Sequence, residues 1–170
     1  MVNNMGDRPS KTPIMMDAMY RSKKTFRGLP CAHRRWRHEG HCAHVHGYDR
    51  TVTIWFEAHH RDENGFVMDF GQLKPIKAWL EAHFDHTLLI DKDDPLTEIF
   101  QKLDALGACK LIRLDDVGME GSARFIFDYV DGWIAEHTAG RVYVHSVEVA
   151  ENHKNSAIYE RDNTPNPPGA

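Results

Sequence analysis

Three classes of protein are disfavoured by what this sequence has little of. It contains only three cysteines, Cys31, Cys42 and Cys109, and their spacing gives no framework for a disulfide-stapled domain. No apolar run approaches the length of a membrane span, and the segment from Met1 to Tyr20 has no apolar signal-peptide core. The formal net charge is −4, whereas broad nucleic-acid binding needs a basic footprint. We therefore expect a cytoplasmic protein that binds neither membrane nor nucleic acid.

The length and composition predict one globular domain with loose ends. A chain of 170 residues suits a single core, and 41% hydrophobic with 27% charged residues is ordinary for a globular protein. Residues 1–22 are mostly polar, contain proline and show no periodicity, so they are predicted to form a flexible arm. Residues 161–170 resemble a disordered tail. Residues 23–160 are left as the single domain.

Hydrophobic periodicity predicts an α+β fold. Val52, Ile54 and Phe56 alternate along the chain as in a half-buried strand, while Ile76, Leu80 and their neighbours recur at helical spacing. The order is roughly ββααββ, an antiparallel sheet with two helices on one face. The predicted strands are 23–33, 43–58, 66–70, 141–151 and 156–159, the predicted helices run from 73 or 74 to 84 and from 119 to 137, and residues 91–117 are unassigned.

Histidine is the unusual component: of 12 in the chain, five lie close together at His33, His38, His41, His44 and His46. Side chains two residues apart on a strand face the same way, so His44 and His46, or His46 and Tyr48, can share a metal ion. His33 on a neighbouring strand would complete the three-ligand set of a catalytic zinc site. One alternative is a set of histidines that only form hydrogen bonds. Another is a structural zinc knuckle with Cys31 and Cys42, although its paired Cys-x-x-Cys spacing is missing.

Cys42 and the Asp85-His86 pair are candidates for proton transfer. A thiol at the mouth of a metal site can donate or accept a proton, although burial as a structural thiol is the alternative for Cys42. A carboxylate can orient an imidazole as a general acid or base, provided that Asp85 and His86 meet in a turn.

Two further sets of charged residues are candidates for substrate binding. Either Glu148 or Glu151 could bind the edge of a guanidine-like ring through two hydrogen bonds. The run Arg34-Arg35-Trp36-Arg37 is either a solvated loop or a phosphate-binding segment.

Together these segments resemble the 6-pyruvoyl-tetrahydropterin synthase / 6-carboxy-tetrahydropterin synthase family over about Phe26 to Tyr159. Five motifs occur in the family's order, and this order is more specific than any single motif. They are Ala32-His33; Cys42-Ala-His-Val-His46-Gly47, similar to Cys-x-x-x-His-Gly-His; Gly65-Phe-Val-Met-Asp69-Phe70-Gly-Gln-Leu73-Lys74; Phe84-Asp85-His86; and Glu151-Asn152.

The resemblance implies the tunnelling fold, a homohexamer with active sites at subunit interfaces, and a zinc cofactor. It also implies a role for each matching residue. His33 and His46 would bind zinc, Cys42 would be the catalytic thiol with Asp85 and His86 as its acid/base partner, and Glu151 would anchor the pterin ring. Glu120, which precedes the second helix in a position the family retains, would be a further substrate contact.

The chain departs from the family pattern at two sites. Tyr48 stands where the signature has its second histidine, so Tyr48 itself, His44 or His41 must supply the third ligand. Gly118 stands where the family usually has threonine, and the segment from residue 91 to 116 is longer than the family leads us to expect.

The implied activity is that of a zinc-dependent lyase. It would convert dihydroneopterin triphosphate to 6-carboxy-tetrahydropterin, with loss of triphosphate and acetaldehyde, on the route to queuosine and related deazapurines. Three residues between Cys42 and His46 resemble this branch of the family. The alternatives are elimination of the 6-pyruvoyl-tetrahydropterin synthase type, a non-catalytic relative that binds zinc or pterin, and a nucleic-acid-binding zinc module, which the negative charge disfavours.

Overall fold

A six-stranded sheet organises the protein, and the computed structural model describes residues 19–162 of it. The strand order is β4-β3-β1-β2-β5-β6. None of the helices in these residues is long and apolar enough to cross a membrane. The strands are β1 (Tyr20–His33), β2 (His46–Ala58), β3 (Thr87–Asp91), β4 (Leu111–Leu114), β5 (Tyr143–Ala150) and β6 (Ser156–Glu160), the helices are α1 (Lys74–Phe84), α2 (Thr97–Ala105) and α3 (Met119–His137), and short 3₁₀ turns lie at His41–Ala43 and Phe70–Leu73.

The sheet is mixed, whereas the sequence predicted an antiparallel one. β1, β2, β5 and β6 pair antiparallel as expected. β3 pairs parallel with β1, and β4 pairs parallel with β3. Parallel neighbours need a crossover connection, which α2 provides between β3 and β4. The predicted α+β class is confirmed, and the element order gains two strands and one helix.

The predicted alternation of β2 is confirmed by the core. Val52, Ile54 and Phe56 are at most 1% exposed and pack under α1 and α3. These two helices lie on the same face of the sheet, as predicted, and contact each other where Trp79 stacks on Tyr129 with ring centroids 4.0 Å apart.

The third helix covers the opposite face. Phe100 of α2 packs with Leu88 and Ile90 of β3, whereas the intervening Leu89 belongs to the main core. Since successive side chains of a strand point to opposite faces, α2 lies across the sheet from α1 and α3.

Residues 66–70 do not form the predicted strand. Val67 and Met68 are buried in the core, but they reach it from a loop that ends in the 3₁₀ turn Phe70–Leu73. Asp69 accepts a hydrogen bond from the Gly71 amide at 2.8 Å, which turns the chain toward α1. The short apolar run therefore correctly indicates that these residues are buried, but they are buried as part of a loop and not of a strand.

The element boundaries differ most at the N-terminal ends of β1 and β2. β1 begins at Tyr20, so the last residues of the predicted arm belong to the sheet. β2 begins at His46 instead of residue 43, which leaves His44 outside the strand. Residues 1–18 of the predicted arm and residues 163–170 of the predicted tail lie outside the described residues.

Candidate active site

His33 and His46 meet where β1 ends and β2 begins. They are directly opposite each other in the antiparallel pair, and their ring centroids are 4.4 Å apart. Tyr48 lies two residues further along β2, with its ring 5.7 Å from His46 and 6.3 Å from His33. Between the two β2 residues, a β-carbon at Gly47 would lie 3.0 Å from the Cys31 carbonyl oxygen, so glycine allows the strands to approach closely here.

The His33 imidazole is neutral, and one of its ring nitrogens has no hydrogen-bond partner in the protein. Burial, followed by the positive charge of Arg50, lowers the pKa of His33 to about 3. Its Nδ1 atom is buried without a hydrogen-bond partner, while Nε2 lies 3.5 Å from Oε1 of Glu151. A buried nitrogen without a partner is costly. A bound cation would satisfy such an atom.

His46 is oriented so that one ring nitrogen is available. Its Nδ1 donates to the His44 carbonyl oxygen at 2.8 Å. Because a carbonyl can only accept, Nδ1 carries a proton, and in the neutral tautomer with this bond the lone pair is on Nε2. Metal-binding histidines are held in this way by a backbone carbonyl.

The prediction that the side chains of His44 and His46 share a strand face is wrong, because His44 precedes β2. Its backbone carbonyl instead fixes the tautomer of His46. His41 begins the adjacent 3₁₀ turn, and both His41 and His44 are exposed.

The donors gathered at this end of β1 and β2 are two imidazoles, His33 and His46, and the nearby phenol of Tyr48. No three His, Cys, Asp or Glu side chains within residues 19–162 are grouped closely enough to hold a metal ion. The ring of Tyr48 lies near both imidazoles, which keeps its phenol among the open choices for a third ligand.

Cys42 lies in the 3₁₀ turn His41–Ala43 and is a free, half-buried thiol. The Arg35 amide donates to the Cys42 carbonyl oxygen at 2.8 Å, so the backbone fixes the turn. Cys31 differs because burial raises its pKa and it packs in the main core. A zinc knuckle that uses both cysteines is disfavoured, since Cys31 faces the hydrophobic core.

Asp85 and His86 pair directly after α1. Nδ1 of His86 lies 2.5 Å from Oδ1 of Asp85, and the positive φ of 54° at His86 lets these adjacent side chains meet. The His86 amide donates to the Pro30 carbonyl oxygen at 2.7 Å, which ties the pair to β1. His86 is 84% exposed and lines an open depression of about 500 Å³ together with Tyr48.

The two predicted substrate-binding carboxylates lie in different places. Glu151 follows β5 and is beside His33, with its side chain 14% exposed. Glu120 lies in the first turn of α3. A β-carbon at Gly118 would be 3.3 Å from Glu120 Oε2 and 3.0 Å from Arg35 Nη1, so the glycine makes room for both side chains.

Comparison with known proteins identifies the architecture. The family model of 6-pyruvoyl tetrahydropterin synthase matches residues 22–162. The chain belongs to this family.

Curated relatives carry a related name. The 6-carboxy-5,6,7,8-tetrahydropterin synthase of Rickettsia bellii is 36% identical over 74 residues, which cover 43% of this chain and 52% of that protein. The enzyme of the same name from Aquifex aeolicus is 25% identical over 157 residues, covering 82% and 96%. The chain spans about half the length of the Rickettsia relatives that it matches, at 52% and 46%.

Solved structures share the fold. An uncharacterised protein of Wolinella succinogenes superimposes with a TM-score of 0.74 at 22% identity, covering 85% of this chain and 99% of that one. The 6-pyruvoyl tetrahydropterin synthase of Caenorhabditis elegans gives 0.59 at 15%, covering 85% and 96%. The predicted tunnelling fold is confirmed.

The arginines after β1, for which the sequence predicts either a solvated loop or phosphate binding, are all paired. Arg34 Nε lies 3.0 Å from Asp94, while Arg35 and Arg37 form ion pairs with Asp116 and Asp93. Their charge is balanced by aspartates within the chain. The structure therefore favours a role in fixing the loop and disfavours a role in binding phosphate.

Arg50 is a residue near the site that sequence reasoning missed. It is fully buried, and its guanidinium donates to Ser122 Oγ at 2.8 Å and to the Val117 carbonyl oxygen at 3.0 Å. No ion pair joins it to a carboxylate within residues 19–162. The available signal was parity, because position 50 shares the buried face of β2 with Val52 and Ile54. Arg50 links the strand of His46 to the start of α3.

Proposed function

We propose that this protein is a zinc-dependent lyase that converts dihydroneopterin triphosphate to 6-carboxy-tetrahydropterin, releasing triphosphate and acetaldehyde. The observation that carries the proposal is the His33–His46 pair, 4.4 Å apart, in a chain that the family model matches over residues 22–162. The names of the Rickettsia bellii and Aquifex aeolicus relatives support the carboxy-forming reaction. The product would enter deazapurine synthesis, such as that of queuosine, in the cytoplasm.

His33, His46 and Tyr48 would hold the zinc ion. The neutral state of His33 and the Nδ1 bond of His46 both suit coordination, because a metal needs an unprotonated nitrogen. When bound, zinc would supply Lewis acidity toward the oxygens of the substrate side chain.

Cys42 and His86 would move the protons. Asp85 lies against Nδ1 of His86, so a proton on that nitrogen is held by the carboxylate and Nε2 is left to exchange protons with substrate. The exposure of His86 keeps its ring accessible. Cys42 would serve as the second donor or acceptor from the 3₁₀ turn.

Glu151 would recognise the pterin ring. Its carboxylate lies beside His33 and has two oxygens that can accept paired N–H groups from a guanidine-like ring edge. Glu120, in the first turn of α3 next to Gly118, would be a second polar contact to substrate.

A homohexamer would complete these sites. β4 and β6 are the edge strands of the sheet, and an unpaired edge in a stable protein needs a partner or a cover. His86 projects into an open depression, which suits an active site closed by a neighbouring subunit. Measurement of the mass in solution tests this part, since a monomer at micromolar concentration would contradict it.

Two other functions share the same fold. Tyr48 in place of a third histidine favours a non-catalytic relative that binds zinc or pterin without turnover. Elimination of the 6-pyruvoyl-tetrahydropterin synthase type would retain the carbon atoms lost in the proposed reaction.

One experiment distinguishes all three. Purified protein is loaded with zinc and incubated with dihydroneopterin triphosphate, and products are identified by mass spectrometry. We expect 6-carboxy-tetrahydropterin and acetaldehyde. A pyruvoyl product would support the elimination reaction, and binding without any product would support the non-catalytic relative.

A further inference from the structure

Three parallel strands end at one edge of the sheet, and charged segments of opposite sign follow them. β1 is parallel to β3, and β3 is parallel to β4, so all three carboxyl ends lie at that edge. β1 continues into the arginine-bearing loop that leads to the Cys42 turn. β3 continues into Asp93 and Asp94, and β4 into Asp115 and Asp116. Topology alone therefore brings the arginines against the aspartates.

Three ion pairs join the loop to the segments after β3 and β4. Arg34 Nε is 3.0 Å from Asp94 Oδ2, in a pair with only 14% and 0% of its side chains exposed. Arg35 pairs with Asp116, and Arg37 with Asp93, which also accepts from the Trp36 indole at 3.3 Å. We call these three pairs the loop clasp.

The aspartate side of the clasp is held in place by the backbone. The second oxygen of Asp94 accepts from the Leu96 amide at 2.8 Å just before α2. Asp91, at the end of β3, accepts from the Val117 amide at 3.1 Å, which ties β3 to the segment after β4. The clasp therefore fixes the loop to a braced surface.

The loop side of the clasp is hydrogen-bonded to the turn that carries Cys42. The Arg35 amide bonds the Cys42 carbonyl at 2.8 Å, and the amides of Ala43 and His44 close the turn onto Gly40 and His41 at 3.0 Å each. These bonds join the turn to the arginine loop, and the clasp joins that loop to the rest of the domain.

We propose that the β3–α2–β4 segment positions the catalytic thiol, with Arg34 and Asp94 as positioning residues that act through the loop. Breaking a buried ion pair leaves an uncompensated charge, so loss of either partner removes the buried one of the loop's three attachments and lets the loop shift. The inference rests on the proposed function only for the role of Cys42 as a proton donor or acceptor.

The test uses three variants: Arg34→Gln, Asp94→Asn, and the two changes combined. Asp115→Asn is the control. Asp115 is the control for an ion pair outside the clasp, because it lies at the same edge and pairs with Lys92 at 2.9 Å; being exposed, it is matched to Arg37 in burial. The exposed member Arg37→Gln is included in case the buried variants do not fold. Two quantities are measured: turnover of dihydroneopterin triphosphate, and the rate at which iodoacetamide alkylates Cys42, followed by peptide mass spectrometry.

We expect Arg34→Gln and Asp94→Asn to lower kcat by about 10- to 100-fold with a smaller change in KM, because a displaced group costs rate more than binding. Cys42 alkylation should accelerate in both, and in Arg37→Gln to a lesser degree. The double variant should be no worse than either single one, and Arg34→Lys should restore part of the rate. Asp115→Asn should match the wild type.

Equal alkylation and equal kcat in the clasp variants and Asp115→Asn would overturn the proposal. Changes in the buried variants that are additive and not rescued by lysine would also overturn it, since they would reflect general destabilisation. If the wild type shows no turnover, the proposed function fails, but the alkylation rates still decide whether the clasp holds the Cys42 loop.

Discussion

Replacing Cys42 by alanine separates proton transfer from metal binding. The change removes one sulfur atom from a half-buried 3₁₀ turn, so we expect the free energy of unfolding to change by no more than about 0.5 kcal/mol. Loss of a general acid or base lowers the rate by roughly 10²- to 10⁴-fold. At 1.36 kcal/mol per decade, this raises the barrier by about 2.7 to 5.4 kcal/mol. The variant should thus be stable but nearly inactive.

Three measurements on Cys42→Ala check this expectation: zinc content, thermal unfolding and turnover of dihydroneopterin triphosphate. Zinc content should equal that of the wild type, because His33, His46 and Tyr48 remain. His41→Ala, His44→Ala and Tyr48→Phe are measured alongside. Zinc loss in Cys42→Ala with full zinc in the other three variants would refute the reasoning, since the thiol would then be the third ligand.

Three further changes probe the scaffold. Gly121→Ala should destabilise by about 1 to 3 kcal/mol, since its β-carbon would be 2.3 Å from Cβ of Asp116, and an unchanged denaturation midpoint would contradict this. Arg50→Ala should lower the free energy of unfolding by about 3 to 5 kcal/mol, because it leaves a cavity and removes two hydrogen bonds. Thermal unfolding measures this, and the exposed Arg27→Ala should leave the stability unchanged. Burial raises the pKa of Asp91, so ionisation of this carboxyl favours the unfolded state. Asp91→Asn should therefore gain stability relative to the wild type as pH rises above about 3.9, the ordinary pKa of aspartate. A stability difference between the two proteins that does not change with pH would refute this.

The parts of the fold that could be predicted from sequence are those with long, regular patterns. α3 runs from Met119 to His137 as predicted, and α1 ends at Phe84 as predicted. The buried face of β2 was also predicted, because its apolar residues alternate over several positions. Each of these elements carries enough residues for its period to be distinct.

Short parallel strands carry no such pattern. β3 has five residues, all buried, and β4 has four, so neither alternates between apolar and polar positions. The pairing of β3 with β1 joins residues far apart in the chain. Consequently the ion pairs of the loop clasp could not be foreseen, although each arginine and aspartate was visible in the sequence.

Within the site, the His33–His46 contact was predictable from the motif, but the environment of each ring was not. The neutral state of His33 depends on its burial and on the charge of Arg50. Of these, only the burial of Arg50 could be predicted, because position 50 shares the buried face of β2. The placement of His44 depends on where β2 begins: because the strand starts three residues later than predicted, the His44 side chain does not share the strand face of His46, and its backbone carbonyl accepts the Nδ1 hydrogen bond of His46.

The identity of the third ligand is open to a gain-of-function test at Tyr48. Its ring lies 5.7 Å from that of His46 on the same strand, so an imidazole at this position would face the same point as the existing pair. Imidazole is a better neutral donor to zinc than phenol, so Tyr48→His should hold zinc more tightly than the wild type, and Tyr48→Phe less tightly. The measurement is the rate of zinc loss to a chelator, with the exposed Tyr20→His as control for the added histidine. If all the variants lose zinc at the wild-type rate, position 48 does not contribute a ligand, and the search passes to His41 and His44.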